Sequence, residues 1–173
     1  MKLDKVANSG NDEFYTPSYA IKPLIQYVNK NFTVWCPFDT SQSNIVKDFK
    51  TNGNNVITSH IDDGLDFFNY TPEQSFDVII SNPPYSKKFE VFQRLFDLDC
   101  KFAMLVGVVG LFESQKRFEL FSSNKFEIMW MNKRISYFKS FEDQKPSLNP
   151  PFSSVWITKG LLPKDNIFEL IYK

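Results

Sequence analysis

The sequence predicts an α/β protein built on a mostly parallel sheet with helices on both faces. Three observations carry that prediction. Apolar runs of strand length alternate with helical segments of roughly ten residues, the pattern of βαβ units. The cleanest run, FDVIIS over 76–81, is almost continuously apolar, as a strand buried on both faces requires. That run ends at Asn82-Pro83-Pro84-Tyr85, so the prolines sit where ligands bind in such sheets, beyond the carboxyl ends of the strands.

Residues 18–30 read as an amphipathic helix, with Ile21, Leu24, Ile25 and Val28 at helical spacing. A buried strand is expected over 32–36. A helix over 43–52 should stop at the turn-forming pair Asn52-Gly53. Residues 55–59 form the next strand candidate, before the run at 76–81. The alternation continues with a helix over 88–98, an apolar strand over 102–109, a helix over 112–121 and a strand over 126–131. From 132 to 151 the pattern dissolves into a polar, proline-containing loop. A strand resumes over 153–158, and 167–172 fits a final strand or a short helix. The first dozen residues read as a flexible arm, and Trp35, Trp130 and Trp156 fall on strands as core residues.

A chain of 173 residues with 42% hydrophobic and 23% charged residues suits one domain, with no separate second domain expected. Aromatic content is high at 17%, led by 19 Phe, enough to fill a core and still line a site. No run is long enough to span a bilayer, and residues 1–10 are too polar for a signal peptide, so the expected location is cytoplasmic. Cys36 and Cys100 lack CxxC spacing and the chain has one His, so no metal centre is expected. Net charge is zero, which removes a global field towards nucleic acid. Local pairs at Lys87-Lys88, Lys116-Arg117 and Lys133-Arg134 matter only if the fold gathers them.

The tetrapeptide is the most informative feature. A random chain of this length contains an Asn-Pro-Pro-aromatic string roughly a few times in a thousand. A rigid loop after a strand needs only the two prolines, so it explains neither Asn82 nor Tyr85. An exocyclic amino group on a heteroaromatic ring is a poor nucleophile, because its lone pair is delocalised. Two acceptors aimed at its N–H bonds pull the nitrogen towards tetrahedral geometry and free that lone pair. Asn82 has a side-chain carbonyl for one bond. Pro83 has a backbone carbonyl for the other, without an N–H of its own. Tyr85 has a ring for stacking, worth about 1–3 kcal/mol per base.

The string resembles motif IV of the amino-methyltransferases, above all the adenine-N6 DNA methyltransferases, and the likeness extends over most of the chain. The resemblance implies a class I, Rossmann-like seven-stranded sheet and S-adenosylmethionine as cofactor. Asp12-Glu13-Phe14-Tyr15-Thr16-Pro17 resembles motif X, placing Tyr15, Thr16 and Pro17 at the methionine end of the cofactor. Val34-Trp35-Cys36-Pro37-Phe38-Asp39 stands at motif I. Asp62 or Asp63 stands at motif II, where an acid holds ribose hydroxyls. Asp66-Phe67-Phe68 resembles motif III, with Asp66 reading the adenine amino group and Phe67 packing on its ring. Arg134-Ile135-Ser136-Tyr137-Phe138 resembles motif VIII, which makes Phe138 the second side of the target-base clamp. The motif order X, I, II, III, IV, VIII is that of the gamma arrangement. Short phage and prophage adenine methyltransferase relatives share the Cys-Pro-Phe-Asp form of motif I.

That form lacks the usual acid and the Gly-x-Gly turn, with Cys36 and Thr40-Ser41-Gln42-Ser43 in their places. Asp39 is then the candidate for the cofactor ammonium, and Ser43 or Asn44 for its carboxylate at the helix N-terminus. DNA is the expected partner, with Lys87, Lys133 and Arg134 as substrate contacts and 132–151, including Lys139 and Lys145, as the segment facing nucleic acid. A flipped target base, a single-stranded or RNA substrate, or a partner subunit supplying recognition each suits so short a chain. Two other readings stand beside it: methylation of an RNA base or a Gln side-chain amide, and a non-catalytic binding or inhibitor protein of the same fold.

Overall fold

The computed structural model describes residues 14–148 and 152–173. The expected arm over 1–12, Asp12 and Glu13 of the first motif, and Pro150-Pro151 lie outside the described residues. Among these, nine strands are β1 (Thr33–Cys36), β2 (Asn55–Thr58), β3 (Val78–Ser81), β4 (Lys101–Gly107), β5 (Glu127–Met131), β6 (Tyr137–Phe138), β7 (Pro146–Leu148), β8 (Ser154–Lys159) and β9 (Asn166–Glu169). The α-helices are α1 (Ser18–Ile25), α2 (Asn44–Asn52), α3 (Lys88–Asp97) and α4 (Gln115–Ser122).

Seven strands form one sheet in the order β2-β1-β3-β4-β8-β5-β9, and β6 and β7 pair separately. Only β8 runs against its neighbours, pairing antiparallel with both β4 and β5. This is the expected mostly parallel seven-stranded sheet. Strand alternation sends side chains to two cores. Val34, Cys36, Val78, Ile80, Ala103 and Leu105 face one core with Ile21 and Leu24 of α1 and Ile45 and Phe49 of α2. Trp35, Ile79, Phe102, Met104 and Val106 face the other, with Val91, Phe92 and Leu95 of α3 and Phe121 of α4. The chain steps from β1 to β2 in one direction and from β3 to β4 in the other. Crossovers of one hand moving in opposite directions place their helices on opposite faces.

Local chemistry sets the boundaries. Ser43 caps α2, its Oγ accepting from Ile45 N at 3.2 Å, and Gly53 ends it at φ 100. That left-handed conformation favours glycine. Ser114 caps α4 by accepting from Arg117 N, so this helix starts later than the expected 112. Helix α1 ends at Ile25, short of the expected Lys30, with Pro23 inside it.

Two expectations change. The segment over 132–151 is not only loop, because β6 and β7 form a hairpin in it, and Tyr15 pairs with Phe138 through N–H···O contacts of 3.1 and 3.3 Å. Trp35 and Trp156 are core, whereas Trp130 is half-buried, stacking on Phe168 with its Nε1–H bonded to Asn166 Oδ1 at 3.0 Å. Strand β9 lies at the sheet margin, where Phe168 is 79% exposed, so the ring beneath it stays partly open.

Candidate active site

Strand β1 has β2 on one side and β3 on the other, which makes the gap between the carboxyl ends of β1 and β3 the topological switch point. A cleft of about 700 Å³ opens there, within the roughly 300–1,000 Å³ typical of small-molecule sites. Its wall brings together residues spread over 14–141. Tyr15, Thr16, Phe38, Asp39 and Ser43 contribute, as do Asp62, Asp66, Phe67, Asn82, Pro84 and Lys87. No single stretch of sequence builds this cleft; the sheet order does.

Asn82 follows the last residue of β3 and is oriented by the segment that precedes α1. Its Nδ2 donates to the Phe14 carbonyl at 2.7 Å and to Thr16 Oγ1 at 3.3 Å. With both amide hydrogens directed there, Oδ1 points away, and it is buried with no protein partner. A buried acceptor left unpaired is costly, by about 1–3 kcal/mol, and in native proteins such groups commonly mark function. Pro83 is buried behind it.

The loop after β1 is organised by a carboxylate. Asp39, 9% exposed, accepts from Ser43 Oγ at 2.5 Å through Oδ1 and from Ser81 Oγ through Oδ2. Since Ser43 also caps α2 and Ser81 precedes Asn82, one side chain ties the β1 loop, the helix start and the tetrapeptide together. Burial pushes the Asp39 carboxyl above its ordinary value, and the two hydroxyl hydrogen bonds offset part of the rise. A group with a raised folded value contributes stability that is complete below its unfolded value, near 3.8, and lost as pH rises through the folded value. Asp39 therefore costs stability at neutral pH. Asp39→Asn is expected to raise Tm at pH 7, with the gain vanishing below about pH 4. Thermal melts across that range check it, and a Tm at pH 7 equal to or below wild type would contradict the sign.

The far wall is aromatic and acidic. Phe67 is buried, with Phe38 at 5.0 Å, Phe68 at 5.6 Å and Trp35 at 5.5 Å between ring centroids. The Arg94 guanidinium lies 5.3 Å from the centre of the Phe67 ring. Asp66 holds its own turn by accepting from Phe68 N at 3.0 Å and Asn69 Nδ2 at 3.2 Å. Asp62 is exposed on the short 3-10 turn Ile61–Asp63, 3.3 Å from His60 Nδ1. Asp63, its alternative, is absent from the wall. With Asp39, Asp62, Asp66 and Glu90 against Lys87, the wall favours a cationic ligand.

Several sequence-predicted contacts are not among the residues that line this cleft. Phe138 is buried against Tyr15 and Phe141 and is not among the residues lining the cleft. Phe141, three residues on, lines the cleft, its ring 3.8 Å from Tyr15. Pairing with Tyr15 turns Phe138 inward, and register decides this. Tyr137 is also buried, and burial pushes its hydroxyl up to about 12. Tyr85 is outside the wall, held edge-on by Phe14 at 4.9 Å and tilted against Phe152 at 5.6 Å. Pro17 serves as the N-cap of α1 and does not line the cleft. Lys133 and Arg134 are exposed away from the wall. Lys88 turns in to the carbonyls of Gly107 and Val109, and Arg117 to that of Gly110, so half of each of those basic pairs serves the loop after β4.

Sequence reasoning passed over Phe14, His60, Glu90 and Phe141 as cleft residues. The described residues contain no group of three or more side chains that could hold a metal ion. Phe14 had a signal, since it lies within the string resembling motif X. No helix among the described residues is long and apolar enough to cross a membrane.

No protein-family model matches the sequence, and no curated protein matches it. Among solved structures, the chain resembles a modification subunit assigned to a type I restriction enzyme from Vibrio vulnificus. The identity is 11% and the TM-score 0.55, over 99% of this chain and 50% of that one. The chain thus spans half the length of that subunit. A TehB-like SAM-dependent methyltransferase from Corynebacterium glutamicum aligns at 14% identity and a TM-score of 0.47, over 91% and 93% of the two chains. At such identity the first likeness bears on the fold alone, the mostly parallel seven-stranded α/β sheet that the strand order already describes.

Proposed function

We propose that this protein transfers a methyl group from S-adenosylmethionine to an exocyclic amino group, with adenine N6 in DNA as the acceptor. The observation that carries the reading is Asn82 Oδ1, a buried carbonyl with no partner at the edge of a switch-point cleft. An acceptor amino group supplies the missing donor.

The residues present suit the cofactor. Phe38 and Phe67 give the cleft an apolar wall against which its adenine would lie, with Asp66 on the same wall for the exocyclic amine and Asp62 exposed for ribose hydroxyls. Asp39 provides negative charge at the end of β1, where the cofactor's ammonium would lie. When bound, S-adenosylmethionine supplies an electrophilic methyl on a cationic sulfur. Asn82 Oδ1 and the Pro83 carbonyl would accept the two amino hydrogens, holding the nitrogen lone pair in line. The Asn82 dipole is held before reaction by Phe14 and Thr16, so it would stabilise developing positive charge without reorganising. The proton becomes acidic once the nitrogen is alkylated, so no strong base is required.

Incubation with labelled S-adenosylmethionine and, separately, duplex DNA, single-stranded DNA and RNA, followed by nucleoside digestion, tests the proposal. The expected product is N6-methyladenine from DNA. Methyl-adenine from RNA alone would move the acceptor, and absence of cofactor binding by calorimetry would sink the enzymatic reading.

A further inference from the structure

We propose that Thr16 is a positioning residue for Asn82 rather than a contact to the cofactor, and that segment 14–16 decides which face of the Asn82 amide meets the acceptor. The inference rests on the functional reading above and deepens it.

Two hydrogen-bond acceptors from this one segment take the Asn82 amide hydrogens: the Phe14 carbonyl at 2.7 Å and Thr16 Oγ1 at 3.3 Å. A half-turn of the amide would set Oδ1 against the Phe14 carbonyl, acceptor against acceptor, which neither atom can satisfy. The Phe14 carbonyl thus selects the orientation, and the Thr16 hydroxyl holds the second hydrogen so that the amide plane cannot rock. Thr16 is buried, and its hydroxyl faces Asn82.

The segment is itself pinned from two sides. Tyr15 exchanges backbone hydrogen bonds with Phe138 of the hairpin at 3.1 and 3.3 Å. The Thr16 carbonyl accepts from Asn44 Nδ2 at 3.0 Å, at the first residue of α2. Asn44 in turn pairs with Gln144, the amides exchanging contacts of 3.2 and 3.3 Å. Asn82 is therefore positioned through Thr16 by the helix that follows the β1 loop and by the hairpin. The donor side of the cleft and the acceptor carbonyl are linked by covalent neighbours and hydrogen bonds alone.

Thr16→Val keeps the shape and removes the hydroxyl, whereas Thr16→Ser keeps the hydroxyl. With the full chain and a methylatable DNA, Thr16→Val should lower kcat about tenfold while the Kd for S-adenosylmethionine stays within about twofold, and Thr16→Ser should recover most of that loss. A raised cofactor Kd with kcat unchanged, or equal impairment of both variants, would overturn the proposal. Solution NMR gives a second readout that needs no turnover. The Asn82 side-chain amide resonances, identified by their loss in Asn82→Ala, should exchange slowly with solvent, and faster in Thr16→Val. Equal exchange rates in wild type and Thr16→Val would also overturn it. Absence of methyl transfer by the wild type defeats the functional reading, and the exchange comparison still decides the orientation.

Discussion

Asn82→Ala is expected to lower kcat for methyl transfer by about 10²–10³-fold, the usual cost of removing one preorganised dipole from a reacting centre. The side chain contributes little to holding the cofactor in the proposed arrangement, so the Kd for S-adenosylmethionine should change by less than about threefold. Stability should fall little or rise. The substitution deletes an amide that donates to Phe14 and Thr16, but it also deletes a buried acceptor with no partner. Single-turnover methylation, cofactor titration and a thermal melt on one preparation separate the three quantities. Transfer at the wild-type rate would remove Asn82 from the chemistry.

Trp35→Ala should produce the largest loss of stability, about 3–5 kcal/mol by urea denaturation. Trp35 is fully buried at the centre of β1, and its ring meets Phe67, Tyr70 and Phe76. Its Nε1–H donates to Ser59 Oγ at 2.9 Å, so the change also strands a buried hydroxyl. The cavity would open beneath Phe67, the apolar wall of the cleft, and cofactor affinity should weaken together with stability. Trp35→Phe refills most of the volume and should recover more than half of the loss. A destabilisation under about 1 kcal/mol would show that the site collapses without this ring.

The distance between sequence and structure differs from element to element. Strand β3 was legible because burial on both faces requires an uninterrupted apolar run, and VIIS is completely buried. Helix α2 was legible at both ends, since Ser43 and Gly53 have local jobs that no distant contact alters. The hairpin β6–β7 was not legible. Its strands are two and three residues long, too short for alternation to register, and β6 is fixed by pairing with β7 and by a bridge to Tyr15, more than a hundred residues away in sequence. Phe138 is buried within that pairing, whereas Phe141, in the turn that follows, lines the cleft. A shift of one residue in register reverses which side chains face inward.

Charge was the least legible property. Lys87-Lys88 reads as one basic patch, yet Lys87 lines the cleft and Lys88 is drawn to the carbonyls after β4. Burial lowers the Lys88 ammonium from its ordinary value, with Arg117 adding to the effect. In the same way Asp39 was legible as an acid near the cofactor loop, but not as the link between Ser43 and Ser81.

By itself the sequence determined the alternation of elements, the parallel character of the sheet and the place of Asn82-Pro83-Pro84-Tyr85 beyond the third strand, because all three follow from local periodicity and proline chemistry. Only the tertiary structure decided the orientation of the Asn82 carbonyl, the Asp39–Ser43–Ser81 link, and which aromatic rings face the cleft. Those outcomes depend on strand order and register. They bring residues dozens of positions apart within hydrogen-bonding distance, and nothing in local spacing encodes the match.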